Sequence, residues 1–383
     1  MKDLRPVEKQ WLFPHSALNN TPSLDDGIDL QTELKRRKVI IEYMRSLALR
    51  ANAIVNGDDP ECTRLRGSMI VGSTLVHRFY MRRSLRDFSE KLIAPTILFL
   101  ATKIEEEPLK LRHIVNSCIA KFEPQGARGW YPDNNPHEQP PREYRTWERS
   151  ILATEEVLLE ALCFDMAVDQ PYPTLLRSVS GLDEIISKML SNGIDSNGIV
   201  IGTKSKEKLS EGRITEIGWT VTSESSLSPL PILYPVPIIS FVIFTFIISI
   251  IDQIPPSHGL WNASESSERF GLDLGRKGND VLGHDLDMVK ACLDDLIRYI
   301  NQGLILDDLK KYIVEEPEQQ TEEPYPKRFI LDVAPNKENL GTNGVLHGKI
   351  EIDDDVNMTT NEIAQNTQST AITDVIVNNG IST

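Results

Sequence analysis

Histidine and cysteine are scarce in this chain of 383 residues, at seven and four copies. Cys62, Cys118, Cys163 and Cys292 lie far apart, with no CxxC and no His at ligand spacing. That spacing argues against a zinc site and a disulfide framework; isolated cysteines of this kind are expected to pack as small apolar residues in a reducing compartment. Also missing are the glycine-rich phosphate loops GxGxxG and GxxxxGKS/T, the GxSxG elbow and HExxH. No catalytic constellation, cofactor site or metal site is therefore expected. Positive charge is in deficit, with 41 Lys and Arg against 56 Asp and Glu, a net charge of -15 and a pI near 5.0. A field of that sign disfavours direct nucleic-acid binding through overall charge. The opening MKDLRPVEKQ lacks the apolar core of a signal peptide, so synthesis in the cytosol is expected and the sequons at Asn262 and Asn357 read as chance.

Ile232 to Ile251 is a long apolar run, 20 residues without a charge, which reaches the length of a membrane span. Pro235 and Pro237 shorten its usable helix to about 14 residues, and Asp252 follows without a basic flank. Its Ile, Val, Phe and Thr suit a central buried helix, although buried strands share that composition. A buried element rather than a membrane segment is expected.

What is present is an ordinary globular composition, 40% hydrophobic and 25% charged, long enough for two domains plus tails. The chain is organised around Leu92 to Pro108, LIAPTILFLATKIEEEP. Leu92, Thr96, Phe99 and Lys103 recur at helical spacing, and Ile97, Leu98 and Leu100 widen the stripe into a buried helix with one polar end. Phe99, Lys103 and Glu106 fall at i, i+4 and i+7 on that end, and Pro108 is expected to stop the helix. By pattern alone, Lys103 and its acids also fit a solvent-facing helix end.

Further helices are expected over Gln31–Ala53, capped by Asp29 or Thr32, then Cys62–Arg82, His113–Phe122 and Glu143–Leu162. In the last of these Trp147, Ile151, Val157, Leu158, Leu159 and Leu162 are expected to be buried. Residues 123–142, with five prolines and two glycines, read as an irregular loop. Before the first helix, Trp11, Leu12 and Phe13 form a cluster suited to docking as an arm. The KRRK cluster at Lys35 to Lys38 lies in a predicted helix and reads as a charged helix face.

FLATKIEEEP, preceded by HRFYMRRSLRDF, resembles the first box of a cyclin, most closely of the transcriptional cyclins K and T. The resemblance extends upstream through WLFPHSALNNTPSLDDGIDLQTELKRRK and downstream to CFDMAVDQPYPTLL, similar to the run that closes the first box. ITEIGWTVTSESSLSPLPILYPVPIISFVIFTFI resembles the opening of a second box, with Gly218 in place of the usual Ala and Thr222 and Ser223 in place of a bulkier pair. DQIPPSHGLWNASESSERFGLDLG is similar to the loop and Trp-containing turn that follow. GHDLDMVKACLDDLIRYINQG is similar to the last helix, with Met288, Cys292, Leu296 and Tyr299 on one side.

The resemblance implies an all-α fold of two tandem cyclin-box repeats with a disordered C-terminal tail. The expected divisions are an arm at 1–29, a first box at 30–179, an inserted linker at 180–212, a divergent second box at 213–303 and an acidic, polar tail at 304–383. It also implies a regulatory subunit, not an enzyme, that binds a cyclin-dependent kinase as a heterodimer. That kinase would phosphorylate the heptad-repeat tail of RNA polymerase II in the nucleus. In cyclins the first box packs on the kinase αC helix, through a Lys and a Glu that map here onto Lys103 and, ten residues before Asp165, Glu155; the cyclin T pattern adds Phe99 and Glu106. Glu156 neighbours Glu155 in that placement, and a pairing of Lys103 with Glu155 across two helices is the structural alternative. A cell-cycle cyclin, a IIB-like DNA-binding factor and a membrane-anchored protein stand as other readings.

Overall fold

In the computed structural model, the residues described are 9–57, 62–123, 127–132, 137–182, 210–275, 283–305 and 307–315, all within the unit Met1–Asp332. Most of the expected linker, 183–209, and the tail beyond 315 lie outside the described residues. Ten helices carry the architecture among them: α1 Leu30–Asn56, α2 Arg66–Tyr80, α3 Glu90–Ile104, α4 Leu111–Phe122, α5 Arg142–Ala161, α6 Pro171–Val179, α7 Glu211–Ser225, α8 Val236–Asp252, α9 Pro256–Ala263 and α10 Leu286–Asn301. The fold is all-α, as expected.

Each half is built around one apolar helix. α3 packs against α1, α2, α4 and α5, and its residues from Ile93 to Thr102 are buried. α8 plays the same part in the second half, against α6, α7, α9 and α10. Its Ile and Phe residues are buried in the second core, each side chain leaving water at about 1.5–3 kcal/mol. Among the described residues no helix is long and apolar enough to cross a membrane. Gly259 of α9 lets that helix lie directly on α8, since a Cβ there would stand 2.9 Å from the Thr245 carbonyl oxygen.

Helix ends follow local chemistry. The Asp29 carboxylate accepts the Thr32 N–H at 3.0 Å and starts α1 at Leu30, so Asp29 is the cap. α3 stops earlier than Pro108 implies. Glu106 N–H bonds to the Lys103 carbonyl and Glu107 N–H to the Thr102 carbonyl, with Glu106 at φ 58. This is the Schellman closure, here with Glu where glycine is usual. Glu106 consequently leaves the helical path and does not share a helix face with Phe99 and Lys103.

The halves are joined by polar contacts and by the N-terminal arm. Arg45 of α1 bonds Glu224 at 3.1 Å and the Ser226 hydroxyl at 3.2 Å, and Lys38 donates to the Gly303 carbonyl at 2.9 Å. The indole of Trp11, 1% exposed, lies between Arg78 and Arg82 and donates to Asp165 at 2.8 Å. Burial alone would raise the Asp165 carboxyl, but hydrogen bonds from Trp11, the Ala167 backbone and Gln10 outweigh it and hold it below its usual value. Two residues on, Phe13 N–H donates to the Ile232 carbonyl of the second half at 2.8 Å, and His15 pairs with Asp295 of α10 at 2.5 Å. The arm therefore touches both halves.

Several expectations are corrected. KRRK is not a solvated face: Arg37 is fully buried, bonded to Glu33 and, at 2.9 Å, to the Tyr80 carbonyl, while Arg36 pairs with Glu90. Burial lowers the Arg37 pKa, with Glu33 opposing. A run of four cations reads as solvent-exposed unless partners distant in sequence are known. Cys163 is exposed, unlike the three other cysteines, because it turns out of α5 at φ 54. Trp147, Val157 and Leu159 are half-buried, and Met288 is 38% exposed, its place facing the core being taken by Val289. Leu304, Ile305 and Leu309, at the start of the expected tail, pack in the second core. So do Leu175 and Val179 of α6, which the expected divisions group with the first box.

Candidate functional site

The polar end of α3 and the C-terminal half of α5 meet at the surface. Lys103 is the last-turn cation of α3, and its ammonium reaches Glu155 Oε1 of α5 at 2.7 Å. The same ammonium stands 3.6 Å from the centre of the Phe99 ring, one turn back on α3. Phe99 is buried, the Lys103 side chain is 42% exposed and that of Glu155 is 14% exposed. An apolar ring thus backs an ion pair whose cationic side remains open to a partner. Glu156 is exposed and forms no ion pair among the described residues, so of the two neighbouring acids it is Glu155 that faces Lys103.

The three acids after α3 separate. Glu105 accepts from the Gln170 amide at 2.9 Å. Glu106 is exposed on the left-handed turn. Glu107 is half-buried, and burial raises its carboxyl despite Arg64 nearby. The structure thus brings Phe99, Lys103 and Glu155 together and leaves Glu106 beside them, past the end of the helix.

Two apolar residues on this side were missed. Leu152 is 46% exposed and precedes Glu155 by three positions, hence on its face of α5. Phe164 is 72% exposed, carried outward by successive left-handed residues at φ 54 and φ 57. The i, i+3 spacing from Glu155 would have found Leu152. Nothing local signals Phe164, because its exposure follows from backbone angles that non-glycine residues rarely adopt. Among the described residues no group of three or more His, Cys, Asp or Glu is placed to hold a metal ion.

Paired all-α repeats, each wrapped around one apolar helix, the first carrying an exposed ion pair over a buried ring, define a protein suited to binding. The first repeat matches the family "Cyclin, N-terminal domain" over residues 62–167. Cyclin pch1 of Schizosaccharomyces pombe is 30% identical over 292 residues, 76% of this chain and 70% of that protein. The chain belongs to the cyclin family, and as a cyclin it is a regulatory subunit rather than a catalyst. Human Cyclin-T1 is 27% identical over 171 residues, which span 44% of this chain and 21% of Cyclin-T1. A solved chain of the yeast RNA Pol II CTD kinase CTDK-1 complex superposes with a TM-score of 0.45 at 12% identity, covering 82% of this chain and 77% of that one.

Proposed function

We propose that this cyclin binds and activates a cyclin-dependent kinase that phosphorylates the C-terminal repeats of RNA polymerase II, and that it promotes transcription elongation in the nucleus. The observation that carries the reading is the ion pair of Lys103 and Glu155 over Phe99, residues onto which the resemblance maps the kinase contacts of cyclins. Similarity to Cyclin pch1 and to Cyclin-T1 supports the polymerase as the target.

In this mechanism the chain supplies no reacting group. The face of Phe99, Lys103, Glu106 and Glu155 docks on the kinase αC helix and holds it inward. The kinase's own Lys and Glu then pair, its activation segment moves clear, and the phosphoryl transfer site is complete. Lys103 and Glu155 reach the interface already ordered by each other, so less side-chain freedom is lost on binding. Nuclear residence follows from the substrate.

The test is co-expression with transcriptional kinases, capture, and phosphorylation of a heptad-repeat peptide, comparing wild type with Lys103→Glu, Glu155→Lys. The double reversal keeps the two charges complementary to each other but inverts both towards a partner. Capture and activation by the wild type and neither by the folded reversal is the expected result. If wild type retains no kinase, the reading is wrong.

A further inference from the structure

On the first repeat some basic side chains are paired, Arg36 with Glu90, Arg83 with Glu160, Arg86 with Asp26 and Lys103 with Glu155, while others such as Lys35, Arg50 and Lys110 stand in water. Arg142, Arg145 and Arg149 of α5 are distinguished by standing together on one helix. All three are exposed, and among the described residues none of their guanidinium groups makes an ion pair or a hydrogen bond. At i, i+3 and i+7 they share one face of α5 over about 10 Å of helix axis. With Thr146 and Ser150 they line an open cavity of about 390 Å3. Glu143 and Glu148 flank the stripe without pairing to it. Three guanidinium forks thus face solvent in a row on a chain of net charge -15.

We propose that this stripe is a docking surface for a phosphorylated peptide and, resting on the polymerase-kinase reading above, that the peptide is an already phosphorylated stretch of the kinase's own repeat substrate. A guanidinium fork binds a phosphate dianion through paired, charge-assisted hydrogen bonds. Phosphates two or three residues apart on an extended chain are about 7–10 Å apart, the scale of the stripe. Thr146 and Ser150 add hydroxyl donors beside the arginines. Charge decides between this and a nucleic acid: the acidic chain repels a long uniform polyanion, whereas phosphates on a short peptide meet only the local field. Glu155 follows Arg149 by six positions, about 9 Å further along the same helix and about a third of a turn round it, so the stripe and the proposed kinase contact sit on one helix but on different faces. Phosphorylation of one repeat would then retain the substrate for the next.

The experiment uses the full chain in complex with the kinase it activates. A repeat peptide without phosphate is compared with the same peptide carrying two phosphoserines three residues apart. The variant is Arg142→Gln, Arg145→Gln, Arg149→Gln, with circular dichroism to check folding. Fluorescence anisotropy of the labelled phosphopeptide on the chain alone runs in parallel, with a single-stranded RNA as competitor. The wild-type complex is expected to show a KM about tenfold lower for the phosphopeptide at similar kcat. The variant is expected to lose that preference and the anisotropy signal, while its activity on the plain peptide stays unchanged. Equal KM values for the two peptides in wild type, or a preference that survives in the variant, overturns the proposal. So does Arg-dependent binding of RNA with none of phosphopeptide. A wild-type complex inactive on both peptides overturns the kinase reading instead, and the anisotropy arm still decides whether the stripe binds phosphopeptide.

Discussion

Lys103 and Glu155, 52 positions apart in sequence, meet at 2.7 Å where α3 and α5 come to the surface. The pair is partly solvated, so its worth to the free chain is small, on the order of 1 kcal/mol with the Phe99 contact included. Lys103→Ala should therefore leave the denaturation midpoint close to wild type. If the pair is the kinase contact, the same substitution raises the Kd for the kinase by about thirtyfold or more, as for a central interface charge. Titration calorimetry beside urea denaturation separates the two effects. A large loss of stability with unchanged kinase affinity would give Lys103 a purely structural role.

Glu106 occupies a left-handed position at the close of α3. Glu106→Gly should relieve backbone strain and stabilise the free chain by about 1 kcal/mol. The carboxylate expected to face the kinase is lost in the same step, so affinity should fall as stability rises. Glu106→Gln retains the strain and removes the charge, which isolates the electrostatic part. Affinity unchanged in both variants would remove Glu106 from the contact set.

His77 of α2 is buried, with Nε2–H donating to the Ser226 carbonyl of the second half at 3.3 Å. Burial, reinforced by Arg37, pushes its pKa from 6.5 down to about 3. The folded chain therefore holds a neutral imidazole where the unfolded chain is protonated below pH 6.5. Stability is complete above that pH and falls as pH drops from 6.5 towards 3, at up to about 1.4 kcal/mol per pH unit for the one proton. His77→Gln should flatten the stability profile over that window. A slope identical to wild type in denaturation at stepped pH would show that other groups govern acid sensitivity.

Trp11 anchors the arm to the first half while Phe13 and His15 reach the second. Trp11→Ala should cost about 3–5 kcal/mol. It should also speed hydrogen exchange at Phe13 and Ala17, whose amides bond to Ile232 and Pro14. Protection of those amides unchanged from wild type would mean that the contacts of the second half hold the arm without its anchor.

The long helices and both apolar centres were legible because periodicity and capping are local properties, whereas α6 and α9, of nine and eight residues, are too short to show a period and the segment of α9 read as a loop and turn. Asp29 caps the helix that its position predicts, and α8 is buried along the run whose hydrophobicity first raised a membrane span. The resemblance to cyclins rests on equally local motifs, and the match over residues 62–167 bears it out. Lys103 and Glu155 were placed by motif alone.

What the sequence determined by itself is therefore the long helices, the family and the candidate residues, since each follows from neighbours within a few turns of chain. Tertiary structure alone decided which charges are exposed. Arg37 disappears into the core because Glu33 and the carbonyls of His77 and Tyr80 surround it. Arg142, Arg145 and Arg149 face water, and among the described residues no acid pairs with them. Only KRRK reads as a basic cluster in the sequence, since Arg142, Arg145 and Arg149 are interleaved with other residues. Burial and pairing depend on groups that only folding brings within a few ångströms, and no local pattern carries that information.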